Sequence, residues 1–198
     1  MRLIQYMKYF KYYLISLFII LLDQLIKLWV HYNMDYGITG EIKVLDGVFK
    51  LHYVLNPGMA FGVEFGSIYG KLFLSSFRIL AILAIGWYLF QLIEKGSHVG
   101  FLICMAMILG GAVGNVIDSI FYGVLLHNAP YNAPTPWFNG QVIDMFYIDI
   151  WEGMLPNWIP VYGGQYYSLW PIFNLADASI FLGVTFILLF QKRFMLKE

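Results

Sequence analysis

Charged residues are scarce in this chain: they make up 12% of its 198 residues, whereas hydrophobic residues make up 60%. Soluble domains carry about 25% charged residues, so the composition indicates a membrane protein. The 12 basic and 12 acidic residues cancel, which leaves no positive surplus for a nucleic-acid partner. The single cysteine, Cys104, excludes an internal disulfide and a cysteine-based metal site.

Motifs for cofactors are lacking as well. The four histidines stand at positions 31, 52, 98 and 127, without the close helical spacing of a histidine zinc site. The sequence contains no Walker loop, no dinucleotide fingerprint and no HExxH motif. We therefore expect a protein that uses no metal ion and no cofactor.

Long apolar runs are what the chain does contain. Crossing a membrane takes about 20 apolar residues, and four segments qualify: 12–32, 70–93, 99–123 and 169–191. Each is predicted to be a helix, because a spanning segment must satisfy its own backbone hydrogen bonds. No linker or internal repeat divides the sequence, so the expected fold is one all-α membrane domain with four transmembrane helices, covering residues 1–198.

Basic residues indicate how these spans are oriented. They lie before the first span, between the second and third, and after the fourth: Arg2, Lys8, Lys11, Lys95, Lys192, Arg193 and Lys197. Because flanks rich in Lys and Arg stay in the cytoplasm, both termini are expected there. Segments 33–69 and 124–168 are then expected on the outer side.

The two outer segments differ in pattern. Residues 42–55 alternate apolar and polar around Asp46-Gly47, which predicts a short β-hairpin or cradle lying on the membrane. Residues 127–141 and 152–168 are rich in Pro, Asn, Gly and aromatic residues and are predicted to be extended loops with aromatic anchors. The loop 127–141 is expected to be a mobile, dispensable flap.

Polar residues recur at helical spacing near the outer ends of three spans. The pairs are Asp23 with Lys27, Asn115 with Asp118, and Asn174 with Asp177. Residues three or four apart share one helix face, and ionisable groups inside a membrane usually face the bundle interior and mark function. Arg78 in the second span could complete this ring or extend outward to the interface.

Each of these positions also has a structural interpretation. Asn174 and Asp177 could cap the fourth helix, and Asp23 with Lys27 could be an ion pair within one helix. Asn115 and Asp118 could join neighbouring helices. Glycines 110, 111 and 114 favour close helix packing. Asp144 could lie on a solvated strand edge, and Asp149 on the surface.

Aspartic peptide hydrolysis is the chemistry that several acids at one depth would support. Two carboxylates held close together cannot both ionise, so the pair shares one proton and can serve as base and acid. A serine–lysine peptidase using Ser75 or Ser76 with Lys71 is an alternative. A small transporter that relays protons through its acids is another, and a binding-only scaffold is a third.

Five motifs resemble those of lipoprotein signal peptidase, the type II signal peptidase of bacteria, over nearly the whole chain and in the same order. They are LLDQLIK at 21–27, NPGMAFG at 56–62, GGAVGNVID at 110–118, VIDM at 142–145 and FNLADASI at 173–180. The resemblance implies an inner-membrane aspartic endopeptidase with Asp144 and Asp177 as its catalytic pair. The implied substrates are prolipoproteins, cut just before a diacylglyceryl-modified cysteine by a monomeric enzyme that contacts membrane lipid.

The resemblance also implies a set of site-supporting residues and a location. The residues are Asn56, Gly58, Asn115, Asp118, Asn174, Asp23 and Lys27. The implied location is the bacterial inner membrane, with the active site near the outer face. One position departs from the family pattern, since Ser119 follows Asp118 where the family normally has arginine. Whether Arg78 or Lys27 supplies the missing cation is left open by the sequence.

Overall fold

The computed structural model describes residues 2–57, 69–160 and 163–195. The chain divides into two compact units. The first unit comprises residues 1–26, 55–142 and 175–198, and the second comprises residues 27–54 and 143–174.

Within the described residues the helices are α1 (Arg2–Asn33), α2 (Gly70–Glu94), α3 (Val99–Ile117), the short α4 (Gly123–Leu125) and α5 (Leu175–Met195). Stretches that are long and apolar enough to cross a membrane occur at Tyr9–Asn33, Gly70–Glu94, Val99–Leu125 and Leu175–Phe194. The prediction of four membrane helices is confirmed. The fourth span begins at Leu175 and not at the expected 169, because the preceding Phe173 forms a β-bridge with Phe146.

Helix α3 is central to the first unit. Half of the residues in its apolar span are buried, whereas 22% or fewer are buried in each of the other three spans. Its glycines allow close approach on two sides. A Cβ atom at Gly110 would lie 2.9 Å from the carbonyl oxygen of Ser16 in α1, and one at Gly111 would overlap the carbonyl oxygen of Ala176 in α5. The predicted packing role of the glycine stripe is confirmed.

Apolar and polar residues collect at opposite ends of this helix bundle. The apolar core is formed by the beginning of α1, the end of α2 and the first half of α3: Tyr12, Leu89, Leu92, Ile93, Leu102, Met105, Ala106 and Leu109. Buried polar residues lie towards the other end, and they include Asp23 in α1 and Asp118 after α3. The bundle thus presents its acids together, as the helical spacing predicts.

A π-helical turn, Asp118–Tyr122, follows α3. Such a turn interrupts the regular helical hydrogen bonds and is often found at functional sites. The carbonyl oxygens of Ser119 and Ile120 accept hydrogen bonds from the backbone N–H groups of Gly140 at 3.0 Å and Phe138 at 3.2 Å. The π turn is therefore tied directly to the loop that precedes residue 141.

The loop 127–141 is anchored at both ends by hydrogen bonds. Asn128 and Gln141 exchange three hydrogen bonds of 2.8–3.0 Å. Asn139 is 2% exposed and donates to the carbonyl oxygen of Thr135. Ser75 of α2 donates to the carbonyl oxygen of Phe138 at 3.0 Å. These side chains, typical of turns, satisfy buried backbone groups, and the dispensability of the loop stays a prediction.

The second unit contains a sheet in the order β1–β2–β3, with strands Ile42–Leu45, Phe49–Asn56 and Val142–Ile148. Strands β1 and β2 form the predicted antiparallel hairpin. Its turn contains Gly47 at a φ of 70°, a conformation that glycine adopts without steric cost. The small sheet of the expected fold is thus confirmed.

Tyr53 of β2 connects this sheet to the end of α1. It is 5% exposed, and its hydroxyl lies 2.9 Å from Nδ1 of His31. Burial, together with the nearby Tyr36, raises the pKa of Tyr53 to about 12. The phenol therefore stays protonated as a hydrogen-bonding group.

The segment 152–168 contains strands where only a loop was expected. Strand β4 (Glu152–Met154) pairs with β5 (Tyr166–Ser168) in an antiparallel sheet. The hydroxyl of Tyr147 reaches the two residues paired at one end of this sheet, donating to Glu152 Oε2 at 2.8 Å and lying 2.8 Å from Ser168 Oγ. The loop prediction failed because each strand is only three residues long, too short to show an alternating pattern.

Candidate active site

Asp144 lies in β3 and is 1% exposed. The backbone of Phe173 pairs with Phe146 through two hydrogen bonds of 2.8 and 3.0 Å, and this antiparallel bridge brings the next residue, Asn174, beside the acid. Asn174 Nδ2 donates to Asp144 Oδ1 at 2.6 Å. Asp144 is therefore a buried carboxylate held by an amide, and the solvated-edge interpretation does not apply.

Asp149, the second acid of this segment, has a different environment. Its carboxylate forms an ion pair with Lys50 at 3.3 Å, and Lys50 also pairs with Glu41 at 3.4 Å. Burial lowers the pKa of Lys50, but the hydrogen bond and charge of Asp149 and the charge of Glu41 outweigh it and raise that pKa overall. Asp149 thus stabilises a charged cluster of the sheet, which suits the predicted surface role.

Asp177 lies in the first turn of α5, where the helix dipole favours a negative charge. Asn115 of α3 donates from Nδ2 to Asp177 Oδ1 at 2.7 Å. The positive charge of Arg78 on α2 attracts the same carboxylate. Arg78 shares a helix face with the buried Lys71 and Ser75, so it lies on the packed side of α2. It is one of the two candidates for the cation that is missing at Ser119.

Asp23 and Asp118 are both fully buried in the first unit. Asp23 Oδ1 accepts a hydrogen bond at 2.9 Å from the backbone N–H of Ala176 in the first turn of α5. The side chain of Gln24 lies between the two acids, with Nε2 3.2 Å from Asp23 Oδ2 and 2.9 Å from Asp118 Oδ1. The same nitrogen lies 3.2 Å from the carbonyl oxygen of Gly114. Asp23 and Asp118 therefore form part of one polar cluster that joins α1, α3 and α5.

Gln24 and Tyr122 belong to this cluster, although the sequence predicted neither as a site residue. The hydroxyl of Tyr122 donates to Gln24 Oε1 at 3.0 Å. Glutamine inside an apolar helix was visible in the sequence, one position after Asp23. Its partner could not be found in the same way, because the π turn changes which side chains of this segment face inward.

The other predicted residues have varied positions. Lys27 is fully buried in α1, and Asn56 is the last residue of β2. Gly58 lies outside the described residues. Within the ranges 2–57, 69–160 and 163–195, no three His, Cys, Asp or Glu side chains are grouped so that they could hold a metal ion.

The serines of α2 are engaged with backbone groups. Ser75 donates to Phe138 as described, and Ser76 donates to the carbonyl oxygen of Leu72 at 2.9 Å. Lys71 Nζ is buried and forms no hydrogen bond with the described part of the chain. Neither serine is therefore paired with this lysine, as a serine–lysine nucleophile requires.

Four membrane helices with a small sheet define a helical membrane protein, and comparisons with known proteins identify its class. The family model described as Signal peptidase (SPase) II matches residues 15–193. The chain therefore belongs to the signal peptidase II family and is a bacterial multi-pass membrane peptidase.

Curated relatives agree with this assignment. The lipoprotein signal peptidase of Amoebophilus asiaticus is 52% identical over 186 residues, which cover 93% of this chain and 79% of the relative. The lipoprotein signal peptidase of Porphyromonas gingivalis is 40% identical over a region that covers 88% of this chain and 80% of the relative. A solved bacterial membrane enzyme superposes with a TM-score of 0.60 at 22% identity, covering 90% of each chain. The similarity to the solved enzyme supports the fold.

Proposed function

We propose that this chain removes signal peptides from prolipoproteins as an aspartic endopeptidase, with Asp144 and Asp177 as its catalytic pair. It cuts just before a cysteine that carries a diacylglyceryl group. Membership of the signal peptidase II family and relatives named lipoprotein signal peptidase support the substrate class.

The observation that carries the catalytic assignment is that an asparagine amide holds each acid. Asn174 binds Asp144 at 2.6 Å, and Asn115 binds Asp177 at 2.7 Å. An amide that donates to one carboxylate oxygen fixes the orientation of the carboxyl group. Asn174 and Asp177 also lie only three positions apart, where the chain enters α5.

The proposed mechanism follows from one proton shared by two carboxyl groups. The ionised aspartate removes a proton from a water molecule while the oxygen of that water attacks the scissile carbonyl carbon. The protonated aspartate donates its proton to the carbonyl oxygen. When the carbon–nitrogen bond breaks, the proton taken from water passes to the leaving amine of the modified cysteine. The second proton returns to the pair from the collapsing diol. No metal ion, nucleotide or cofactor takes part.

The remaining predicted residues support this pair in the proposal. Asn115 and Asn174 orient the two acids, whereas Asp23, Lys27, Asn56, Gly58 and Asp118 shape the surrounding site. The enzyme acts as a monomer in the bacterial inner membrane, with both termini in the cytoplasm and the site near the outer face. There the lipid chains of the substrate can remain in the bilayer while the scissile bond reaches the acids.

Cleavage of a lipidated precursor by purified variants tests the proposal. Asp144→Asn and Asp177→Asn should each reduce kcat by at least about 1,000-fold, and the double variant should be no worse, because members of one catalytic unit are not additive. All variants should accumulate normally, since removing one of two repelling acids creates no new charge. The assay contains a chelator and no nucleotide.

Asp149→Asn is the matched control, because it changes an acid of the same segment that pairs with Lys50. It should retain cleavage activity. Full turnover by Asp177→Asn would return that residue to the role of a helix cap. Full turnover by Asp144→Asn would show that a different acid is the partner of Asp177.

A further inference from the structure

The amide of Gln24 is the centre of a hydrogen-bonded chain that runs from α3 to α5. Its Nε2 faces three acceptors, on Asp23, Asp118 and Gly114, at 2.9–3.2 Å. Its Oε1 accepts from the hydroxyl of Tyr122 at 3.0 Å. Every hydrogen-bonding atom of this amide is therefore engaged.

The surroundings allow only one orientation of this amide. Rotating the amide by 180° would turn Oε1 towards Asp23 and Asp118, both of which are fully buried, and an oxygen facing two carboxylates is repelled in a medium of low polarity. The hydroxyl of Tyr122 reinforces the observed orientation because it supplies a donor to Oε1. The two acids and Tyr122 thus act together to fix which atom of Gln24 faces the acids.

This chain of hydrogen bonds ends beside a proposed catalytic residue. Gln24 donates to Asp23 Oδ2, and Asp23 Oδ1 accepts from the backbone N–H of Ala176 at 2.9 Å. Ala176 immediately precedes Asp177 in the first turn of α5. Because the backbone N–H groups of a first helical turn have no partner within their own helix, this bond determines where the turn sits.

We propose that Gln24 and Tyr122 are positioning residues for Asp177, acting through Asp23 and the backbone of Ala176. This inference rests on the proposed function of Asp177. The π turn is essential to it, since Tyr122 belongs to that turn and faces inward with 3% exposure. The two residues hold the first turn of α5 and touch neither the substrate nor the reacting atoms.

A double-mutant cycle on kcat for the lipidated precursor tests this link. Tyr122→Phe, which removes only the hydroxyl, should lower kcat about 3- to 10-fold. Gln24→Met, which removes the donor to two carboxylates, should lower kcat about 10- to 100-fold. Because Tyr122 acts through the amide, adding Tyr122→Phe to Gln24→Met should cause no further loss. KM should stay unchanged throughout.

Tyr13→Phe is the matched control. It deletes a hydroxyl that joins α1 to the carbonyl oxygen of Gly86 in α2 at 2.9 Å, and it should lower thermal stability as much as Tyr122→Phe while leaving kcat unchanged. If Gln24→Met fails to accumulate, the kcat and KM of Tyr122→Phe are compared with those of Tyr13→Phe. A lower kcat in Tyr122→Phe alone then supports the positioning role.

The outcomes separate this inference from the proposed function. An inactive wild-type enzyme would overturn the proposed function itself. An active wild type whose Tyr122→Phe variant behaves like Tyr13→Phe would overturn the positioning role alone. Additive losses in the double variant would show that Tyr122 acts independently of Gln24, which also contradicts the proposal.

Discussion

The hydrogen bond from Asn115 Nδ2 to Asp177 Oδ1 measures 2.7 Å and joins two membrane helices. Replacing Asn115 with Leu keeps the side-chain size but removes the donor, so the carboxylate loses its orientation. A charge-assisted hydrogen bond contributes about 1.5–3 kcal/mol, so Asn115→Leu should lower kcat about 10- to 100-fold. Cleavage of the lipidated precursor, normalised to purified enzyme, measures this loss.

Ser179 offers a control between the same two helices. It is 5% exposed and donates to the carbonyl oxygen of Met107 in α3 at 3.0 Å. Ser179→Ala should reduce thermal stability by about 1 kcal/mol and leave kcat near that of the wild type. If both variants lose activity equally, Asn115 contributes helix packing and not orientation of the acid.

Individual polar residues could be predicted from the sequence, but their partners could not. The spacing of Asn174 with Asp177 suggested a cap of the fourth helix, and Asn115 with Asp118 suggested bonds to neighbouring helices whose residues the sequence did not identify. In the structure Asn115 binds Asp177 of another helix, and Asn174 binds Asp144 of a strand. Helical spacing reports which face a residue occupies, whereas these bonds depend on how distant segments pack.

At the scale of the element, the contact of α3 with α5 depends on Gly111. A methyl group at this position would collide with the carbonyl oxygen of Ala176, so Gly111→Ala must push the first turn of α5 away. We expect a loss of about 1–3 kcal/mol in stability. Thermal unfolding of the purified protein in detergent measures this loss, and precursor cleavage should fall with it.

Gly86 provides the comparison for Gly111. It lies in α2, and a Cβ atom there would be 3.9 Å from the nearest atom, Leu109 Cδ1, which is an ordinary contact. Gly86→Ala should therefore be neutral or stabilise the helix by up to about 1 kcal/mol. Equal melting temperatures for the two variants would show that α5 can move away from α3 without cost.

The elements differ in how far the sequence predicts them. Apolar length predicts the membrane helices, and Asp46-Gly47 between alternating residues predicts the hairpin. The anchoring of the loop 127–141 could not be predicted, because its acceptors are carbonyls of Ser119 and Ile120 in the π turn. Backbone groups released by an irregular turn leave no residue pattern in the sequence.

At the scale of the whole molecule, the basic residues at the helix ends predict the orientation in the membrane. Lys192 and Arg193 lie in the last turn of α5, which predicts that this end remains in the cytoplasm. A reporter that works only in the cytoplasm should be active when fused after Glu198. A reporter that works only outside the cytoplasm should be active when inserted after the exposed Tyr131.

Exchanging the two reporters is the control for this experiment. Each should then be inactive while the fusion proteins still accumulate. A C-terminal fusion that works only on the outer side would reverse the orientation and place the proposed site at the cytoplasmic face.

The bond from Asp23 to Ala176 joins residues 153 positions apart, and this separation has a consequence for biosynthesis. A ribosome produces α1 before α5. The carboxylate of Asp23 therefore enters the membrane well before the backbone N–H group of Ala176, from which it will accept a hydrogen bond. Until the fourth span is inserted, neither the first turn of α5 nor Asp177 has reached its place in the bundle. Under the proposed function, the site is therefore completed only after α5 has entered the bilayer.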